Sequence, residues 1–225
     1  QAAAEARKPV YVDAEESWIQ GAIDGLVEAK MAIFNRPRAN LFTTLQFYRT
    51  GRVDHFRALI ARARQEGWRL GVKFVRGAYM EKERERARAQ GYRSPIHPNK
   101  AATDGDYNLA LQHFVDNIDV VELCSGTHNE QSCLLLAQLM AERGIPNNHP
   151  HVYFSQLFGM SDHVSFNLAR QGYNVSKYLP FGPVESTLPY LVRRAEENTA
   201  IAGQMRKELQ IIVQERKRRR AARGQ

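Results

Sequence analysis

The feature that most constrains this chain is a repeated change of hydrophobic period. Six short runs, Val10–Ala14, Asn40–Leu45, Leu70–Arg76, Val120–Ser125, His151–Gln156 and Val175–Leu179, read as strands. Several are apolar at nearly every position, as strands covered on both faces of a parallel sheet are. Between them lie Ala-, Leu-, Arg- and Glu-rich segments with apolar residues three and four apart, such as Val53–Gln65, Asn129–Arg143 and Val184–Ile201. Gly67, Gly144 and Gly172 each close such a segment before a strand, where a left-handed helix end is expected. A β-then-α repeat with short links means an α/β protein.

Two α/β architectures compete. An open doubly wound sheet announces itself by a G-x-G-x-x-G turn after a strand, and none follows any of the six. A (β/α)8 TIM barrel places its site at strand C-terminal ends and needs about 250 residues and eight units. With 225 residues and six units, the chain reads as strands 3–8 with the first two βα units missing. The polar strand ends Asp13-Ala-Glu-Glu16, Gln46, Arg76-Gly-Ala-Tyr79, Gly126-Thr-His-Asn129, Gln156 and Tyr178 agree with a barrel site. Residues 1–203 are then the barrel domain and 204–225 a basic helical tail.

Composition narrows the function classes. Hydrophobic residues make up 43% and charged residues 25%, enough apolar side chain for a core, which excludes disorder. No run of about 18 apolar residues is present to cross a membrane. The two cysteines, Cys124 and Cys133, are too few for a disulfide framework or a zinc cage and suit a reducing compartment. The N-terminal Gln1-Ala-Ala-Ala-Glu-Ala-Arg7 lacks a signal-peptide pattern and reads as the end of a helix whose start is missing. Of the formal net charge of +8, most sits from Arg206 onward, where eight Lys/Arg face two Glu. A nearly balanced body argues against nucleic acid as a partner. The tail reads either as a solvated charge run or as a dock for an anionic membrane surface. Met205, Leu209, Ile212 and Val213 recur at helical spacing before Arg216-Lys-Arg-Arg-Arg220, and such a helix rests on a membrane or packs back on the barrel.

The sharpest local signal is Leu188-Pro-Tyr-Leu-Val-Arg-Arg-Ala-Glu-Glu-Asn198. At about 100° per helical residue, Tyr190, Arg193, Arg194 and Glu197 share one face. Adjacent guanidiniums repel unless an anion lies between them, and a carboxylate matches their forked donors. A solvated face with an Arg–Glu pair is the plainer reading. Gly77-Ala78 after Arg76 opens the backbone to close approach by a flat or phosphorylated ligand. Thr127-His-Asn129 precedes a helix start that can receive phosphate. No metal-ligand spacing surrounds His128, so no metal is expected. G-x-S-x-G and Walker motifs are absent and no nucleophile is evident, so a cofactor is expected to carry the chemistry.

The ordered series Val12-Asp-Ala-Glu-Glu16, Leu70-Gly-Val-Lys-Phe-Val-Arg-Gly-Ala-Tyr-Met80, Thr127-His-Asn-Glu130, Val152-Tyr-Phe-Ser-Gln-Leu-Phe-Gly-Met-Ser-Asp162, Lys177-Tyr-Leu-Pro-Phe-Gly-Pro-Val184 and Tyr190–Asn198 resembles the proline dehydrogenase family, in its stand-alone type. The resemblance implies a barrel that holds FAD, oxidises L-proline to Δ1-pyrroline-5-carboxylate and passes electrons to a quinone. It implies that Arg193 and Arg194 grip the substrate carboxylate, with Glu197 alongside, and that Tyr178, Tyr190, Ala78 and Leu157 line the substrate. Asp13 matches an acid near substrate and flavin, and is counted with Tyr178, Arg193 and Arg194 as catalytic. The flavin set is Gln46, Lys73, Val75, Arg76, Gly77, Thr127, His128, Asn129, Gln156 and Glu197, with His97, Asn99 and Lys100 along the adenosine end. Lys73 or Arg76 is the cation expected near flavin N1. Met80 and Phe181 depart from the aromatic and the Tyr frequent at those positions, and the lysine of the family's first two strands has no counterpart here. Another flavin-dependent barrel oxidoreductase, such as one acting on a folate, and a barrel binding a carboxylate or phosphate without chemistry are the rival readings. Location is expected in the cytoplasm at the inner face of the membrane, with mitochondria as the alternative.

Overall fold

The computed structural model describes residues 2–6, 8–185, 187–192 and 202–223. Helix α1 (Ala2–Glu5) precedes β1 (Val10–Val12), α2 (Ser17–Phe34), β2 (Leu41–Gln46), α3 (Arg52–Glu66), β3 (Leu70–Val75), α4 (Met80–Gln90), α5 (Lys100–Val115), β4 (Val121–Gly126), α6 (Glu130–Glu142), β5 (Val152–Leu157), α7 (Asp162–Arg170) and β6 (Val175–Tyr178). A final helix, α8, spans Ala202–Arg223. Compactness divides the chain into Gln1–Gln156 with Val164–Ser176, and Leu157–His163 with Lys177–Gln225.

The six strands lie in the order β1-β2-β3-β4-β5-β6, so each is hydrogen-bonded to its neighbour in sequence. The pairs from β1 to β5 are parallel. A doubly wound sheet reverses its strand order at a switch point; this one never does, and sequential parallel order is that of a (β/α) barrel-type fold. All six expected strands are present, with ends shifted by one or two residues.

In the first unit, the outward side chains of β2–β4 pack under α3, α5 and α6. Leu45, Leu70, Val72, Phe74, Val121 and Leu123 are buried together with Phe56, Ala63, Leu111, Phe114 and Leu136. Phe74 is its aromatic centre: Phe47 and Phe56 meet it edge-on at 4.8 and 5.1 Å. Such pairs each contribute about 1 kcal/mol beyond the area they bury. Gly67, Gly144 and Gly172 all have positive φ, as the helix-end reading requires. Gly71 lets β3 close on β2, since a Cβ there would lie 2.5 Å from the Leu41 carbonyl oxygen.

Helix α2 exposes apolar side chains opposite its buried face. Gln20, Asp24, Val27 and Met31 are buried, yet Trp18, Ile19, Ala22, Leu26, Ala29 and Ile33 are exposed. In the second unit, residues 187–192 are helical, and α8 runs unbroken through the basic stretch with Leu209, Ile212 and Val213 exposed. Among the described residues no helix is long and apolar enough to cross a membrane.

Candidate functional site

The register sets the strand C-terminal ends side by side. Thr44 is level with Lys73 and Lys73 with Cys124, while Gln46 pairs with Val75 and Gly126 with Ser155. Side chains alternate along a strand, so Lys73 and Val75 share the face opposite to Phe74 and the helices. Asp13 follows β1 directly, and its Oδ1 accepts from Lys73 Nζ at 2.6 Å. Thr44 Oγ1 donates to the Val12 carbonyl at 2.9 Å and fixes the backbone just before that acid. Gln46 is buried, its Nε2 donating to the Glu15 carbonyl at 2.7 Å.

Arg76 is committed to the protein. Its Nε donates to Asp104 Oδ1 at 2.6 Å, one terminal nitrogen to Thr127 Oγ1 at 2.7 Å, and the other to Ser132 Oγ at 2.9 Å. Its guanidinium also lies 4.4 Å from the centre of the Tyr107 ring. Burial opposes ionisation of Asp104, but hydrogen bonds from Lys100 and Arg76 outweigh it and hold this carboxyl below its ordinary range. The cluster joins the end of β3, helix α5, the end of β4 and the first turn of α6.

The turn after β4 is held from several sides. Thr127 Oγ1 accepts from the Asn129 N–H at 3.1 Å, and Asn129 caps α6 by accepting from the Ser132 N–H at 3.2 Å. Gln156 Nε2 donates to the Thr127 carbonyl at 3.2 Å and its Oε1 accepts from Ser165 Oγ. His128 lies between them, half-buried. Gly77, at φ +128°, lies against the Tyr48 ring, and Ala78 follows it half-buried.

The stretch Pro95–Lys100 runs beside the chain after β2: the His97 N–H donates to the Tyr48 carbonyl and the Thr50 N–H to that of Pro95. His97 Nε2 contacts Asp106 Oδ2 at 2.8 Å, Asn99 caps α5 at Ala102, and Lys100 pairs with Asp104. The sequence reading therefore missed Asp104 and Ser132, and also Glu83, whose carboxylate accepts from Ser17 at the start of α2. Asp104 and Ser132 sit within helical runs with no motif to mark them, and Glu83 is one charge in the Glu81–Glu85 stretch.

In the second unit, Tyr178 and Tyr190 face each other with ring centroids 5.8 Å apart. Lys177 Nζ donates to the Met160 carbonyl at 2.6 Å and pairs with Asp162, securing the turn after Leu157. Arg193, Arg194 and Glu197 lie outside the described residues. Among the described residues no group of three or more His, Cys, Asp or Glu side chains is placed to hold a metal ion.

Comparison with known proteins gives these residues a family. Residues 1–207 match the family model described as proline dehydrogenase. The chain is 41% identical over 215 residues to "Proline dehydrogenase 1, mitochondrial" of Caenorhabditis elegans, covering 93% of this chain and 35% of that protein. It is 39% identical over 217 residues to "Hydroxyproline dehydrogenase" of Xenopus laevis, covering 95% of this chain and 47% of that one. Among solved structures, proline utilization A from Bdellovibrio bacteriovorus, inactivated by N-propargylglycine, superposes with a TM-score of 0.80 at 24% identity, over 85% of this chain and 20% of that one, and shows the fold. The chain thus spans about a third to a half of the length of the curated relatives it matches. With the match running from Gln1 past the Arg193-Arg194 pair, the chain belongs to the proline dehydrogenase family.

Proposed function

We propose that the protein oxidises L-proline to Δ1-pyrroline-5-carboxylate with a bound flavin, FAD, and passes the electrons to a quinone. The observation that carries this reading is the Asp13–Lys73 pair at the strand ends, within a chain that matches the proline dehydrogenase model over residues 1–207. The donor set suits a flavin: an ammonium at Lys73, a carboxamide at Gln46, and bare backbone at Gly77 and Gly126. A Cβ at Gly126 would lie 3.0 Å from the Phe74 carbonyl oxygen, so glycine lets β4 close on β3 beside Lys73 and Val75. When bound, the flavin supplies the acceptor for a hydride from proline ring C5.

The remaining work falls to this chain's residues. Arg193 and Arg194 hold the substrate carboxylate by forked, charge-assisted hydrogen bonds, with Glu197 orienting them. Tyr178, Tyr190, Ala78 and Leu157 are assigned to the substrate side, where apolar groups align the ring and exclude water. Lys73 supplies the positive charge toward the cofactor and Asp13 fixes its ammonium. Of the two cations considered, Lys73 suits this role, because it shares its strand face with Val75 at the β3 end, while Arg76 is anchored by Asp104, Thr127 and Ser132. Val75, Thr127, His128, Asn129 and Gln156 complete the cofactor side, and His97, Asn99 and Lys100 the adenosine side.

The six strands are read as strands 3–8 of an eight-stranded barrel, within a catalytic domain of residues 1–203 followed by the tail 204–225. The exposed apolar stripe of α2 supports two further βα units, since an apolar helix stripe is normally turned toward a core. Helix α8, with a basic end and exposed Leu209, Ile212 and Val213, supports peripheral contact with a quinone-bearing membrane. The names of the relatives favour mitochondria over a bacterial cytoplasm.

The test is anaerobic titration of the purified full-length protein. A yellow protein that L-proline bleaches is expected, and Arg193→Met with Arg194→Met should retain flavin while losing about a hundredfold or more in kcat/KM. Bleaching by a folate instead, or a colourless protein that binds proline unchanged, would overturn the reading. Hydroxyproline is the second substrate to try, given the name of the Xenopus relative.

A further inference from the structure

We propose that Glu83 is a positioning residue that locks the loop bearing Asp13 to the loop bearing Gly77 and Ala78, so that the two move as one rigid edge of the site. The inference rests on the role given to Asp13 above. Glu83 lies in the first turn of α4 and is fully buried. One carboxylate oxygen accepts from the Ser17 N–H at 2.5 Å and the other from the Ser17 hydroxyl at 2.7 Å.

Ser17 opens α2, where a helix leaves its first N–H groups without intrahelical partners and where its dipole favours negative charge. The residue at the usual capping position, Glu16, makes no side-chain cap bond. Glu83 takes over that work from another element, 66 positions along the chain. Two neighbouring ties run in the same order. Tyr79 Oη donates to Glu15 Oε2 at 2.7 Å, and Lys82 pairs with Glu16. Consecutive residues 15, 16 and 17 are thus met by 79, 82 and 83.

The three ties are unequal. Those of Tyr79 and Lys82 are open to water, where ion pairs and hydrogen bonds contribute little. Glu83 itself is fully buried, with Ser17 half-buried, and a buried carboxylate that loses its partners is the costly case. Asp13 begins the loop that Ser17 ends, and its carboxylate holds Lys73 at 2.6 Å. Released at Ser17, the loop lets Asp13 drift from the geometry that a positioned group requires.

The test uses the full-length flavin-loaded protein with Glu83→Ala, Glu83→Gln and Ser17→Ala. Glutamine can still accept from the Ser17 N–H and donate to its hydroxyl, so it should rescue. Expected for Glu83→Ala are amide exchange at residues 13–17 faster by about tenfold and kcat/KM for proline lower by about tenfold, chiefly in kcat. Glu83→Gln should stay within about threefold. Added to Asp13→Ala, the Glu83→Ala change should cost nothing more, because both act through one carboxylate. Unchanged exchange at residues 13–17, or losses that multiply with Asp13→Ala, would overturn the proposal. Should Glu83→Ala fail to fold, Ser17→Ala decides by the same exchange reading. A wild-type protein that fails to oxidise proline would sink the proline reading instead, while the exchange arm still decides the lock.

Discussion

Gly77 shows how a single missing Cβ shapes this site. It adopts φ +128°, and a Cβ there would lie 2.3 Å from the Tyr48 ring, so replacement is opposed by backbone strain and by overlap together. Gly77→Ala is expected to lower stability by about 3 kcal/mol in urea unfolding; a loss within a few tenths would mean that Tyr48 can turn aside. Titration acts at this scale too. Burial, with Arg57, holds the His113 imidazole below its ordinary value of 6.5, and burial, with His151 and Arg69, does the same for His149. A histidine depressed on folding binds fewer protons folded than unfolded. The stability it contributes is therefore complete above about pH 6.5 and lost as pH falls through the lower folded value. The urea midpoint should decline between about pH 7 and about pH 5.5, and the His113→Gln, His149→Gln double variant should flatten that decline. The sequence marked Arg76 for the cofactor side, and nothing in its neighbours reveals the three partners at residues 104, 127 and 132 that its guanidinium also meets. Contacts between distant residues decide what a side chain is free to do.

At the scale of elements, the punctuation was legible because it is local. Left-handed glycines at 67, 144 and 172 end helices for reasons internal to the backbone, and the apolar runs of β2 to β5 are strands for reasons internal to their period. Asn99 and Asn129 were read as cofactor residues, and the structure shows each capping a helix, at Ala102 and Ser132. Asn99→Ala should lower the unfolding midpoint by an amount equivalent to about 1 kcal/mol, with Asp or Ser restoring most of it. If Ala and Asp behave alike, the cap contributes nothing. The cap of α2 was not legible at all, since its acceptor arrives from α4. The tail 204–225 was read as one basic helix, amphipathic up to Glu215 and basic beyond it. Helix α8 runs unbroken to Arg223; Arg218 and Arg219 hydrogen-bond the Glu215 carboxylate and hold its pKa down to about 2, side-chain pairs that suit a continuous helix.

At the scale of the molecule, α2 presents an apolar stripe of Ile19, Leu26 and Ile33 that water meets directly. If two further βα units cover it in the full-length protein, Leu26→Asp there should lower stability by about 2–3 kcal/mol. An unchanged urea midpoint would leave the stripe facing solvent in the whole protein and remove the support it lends to an eight-stranded barrel. Vesicles of anionic lipid test the tail: deleting residues 204–225 should abolish sedimentation of the full-length protein with them, and retained binding would reject the peripheral role of α8. By itself the sequence determined the βα repeat, the parallel sheet and the polar strand ends, because period, turn residues and strand polarity are written within a few consecutive positions. The tertiary structure alone decided that Lys73 meets Asp13, that Arg76 is anchored by Asp104, Thr127 and Ser132, and that Glu83 caps α2. Those pairings join residues 28 to 66 positions apart, and no local preference of the backbone encodes a contact made only when the strands fall into register.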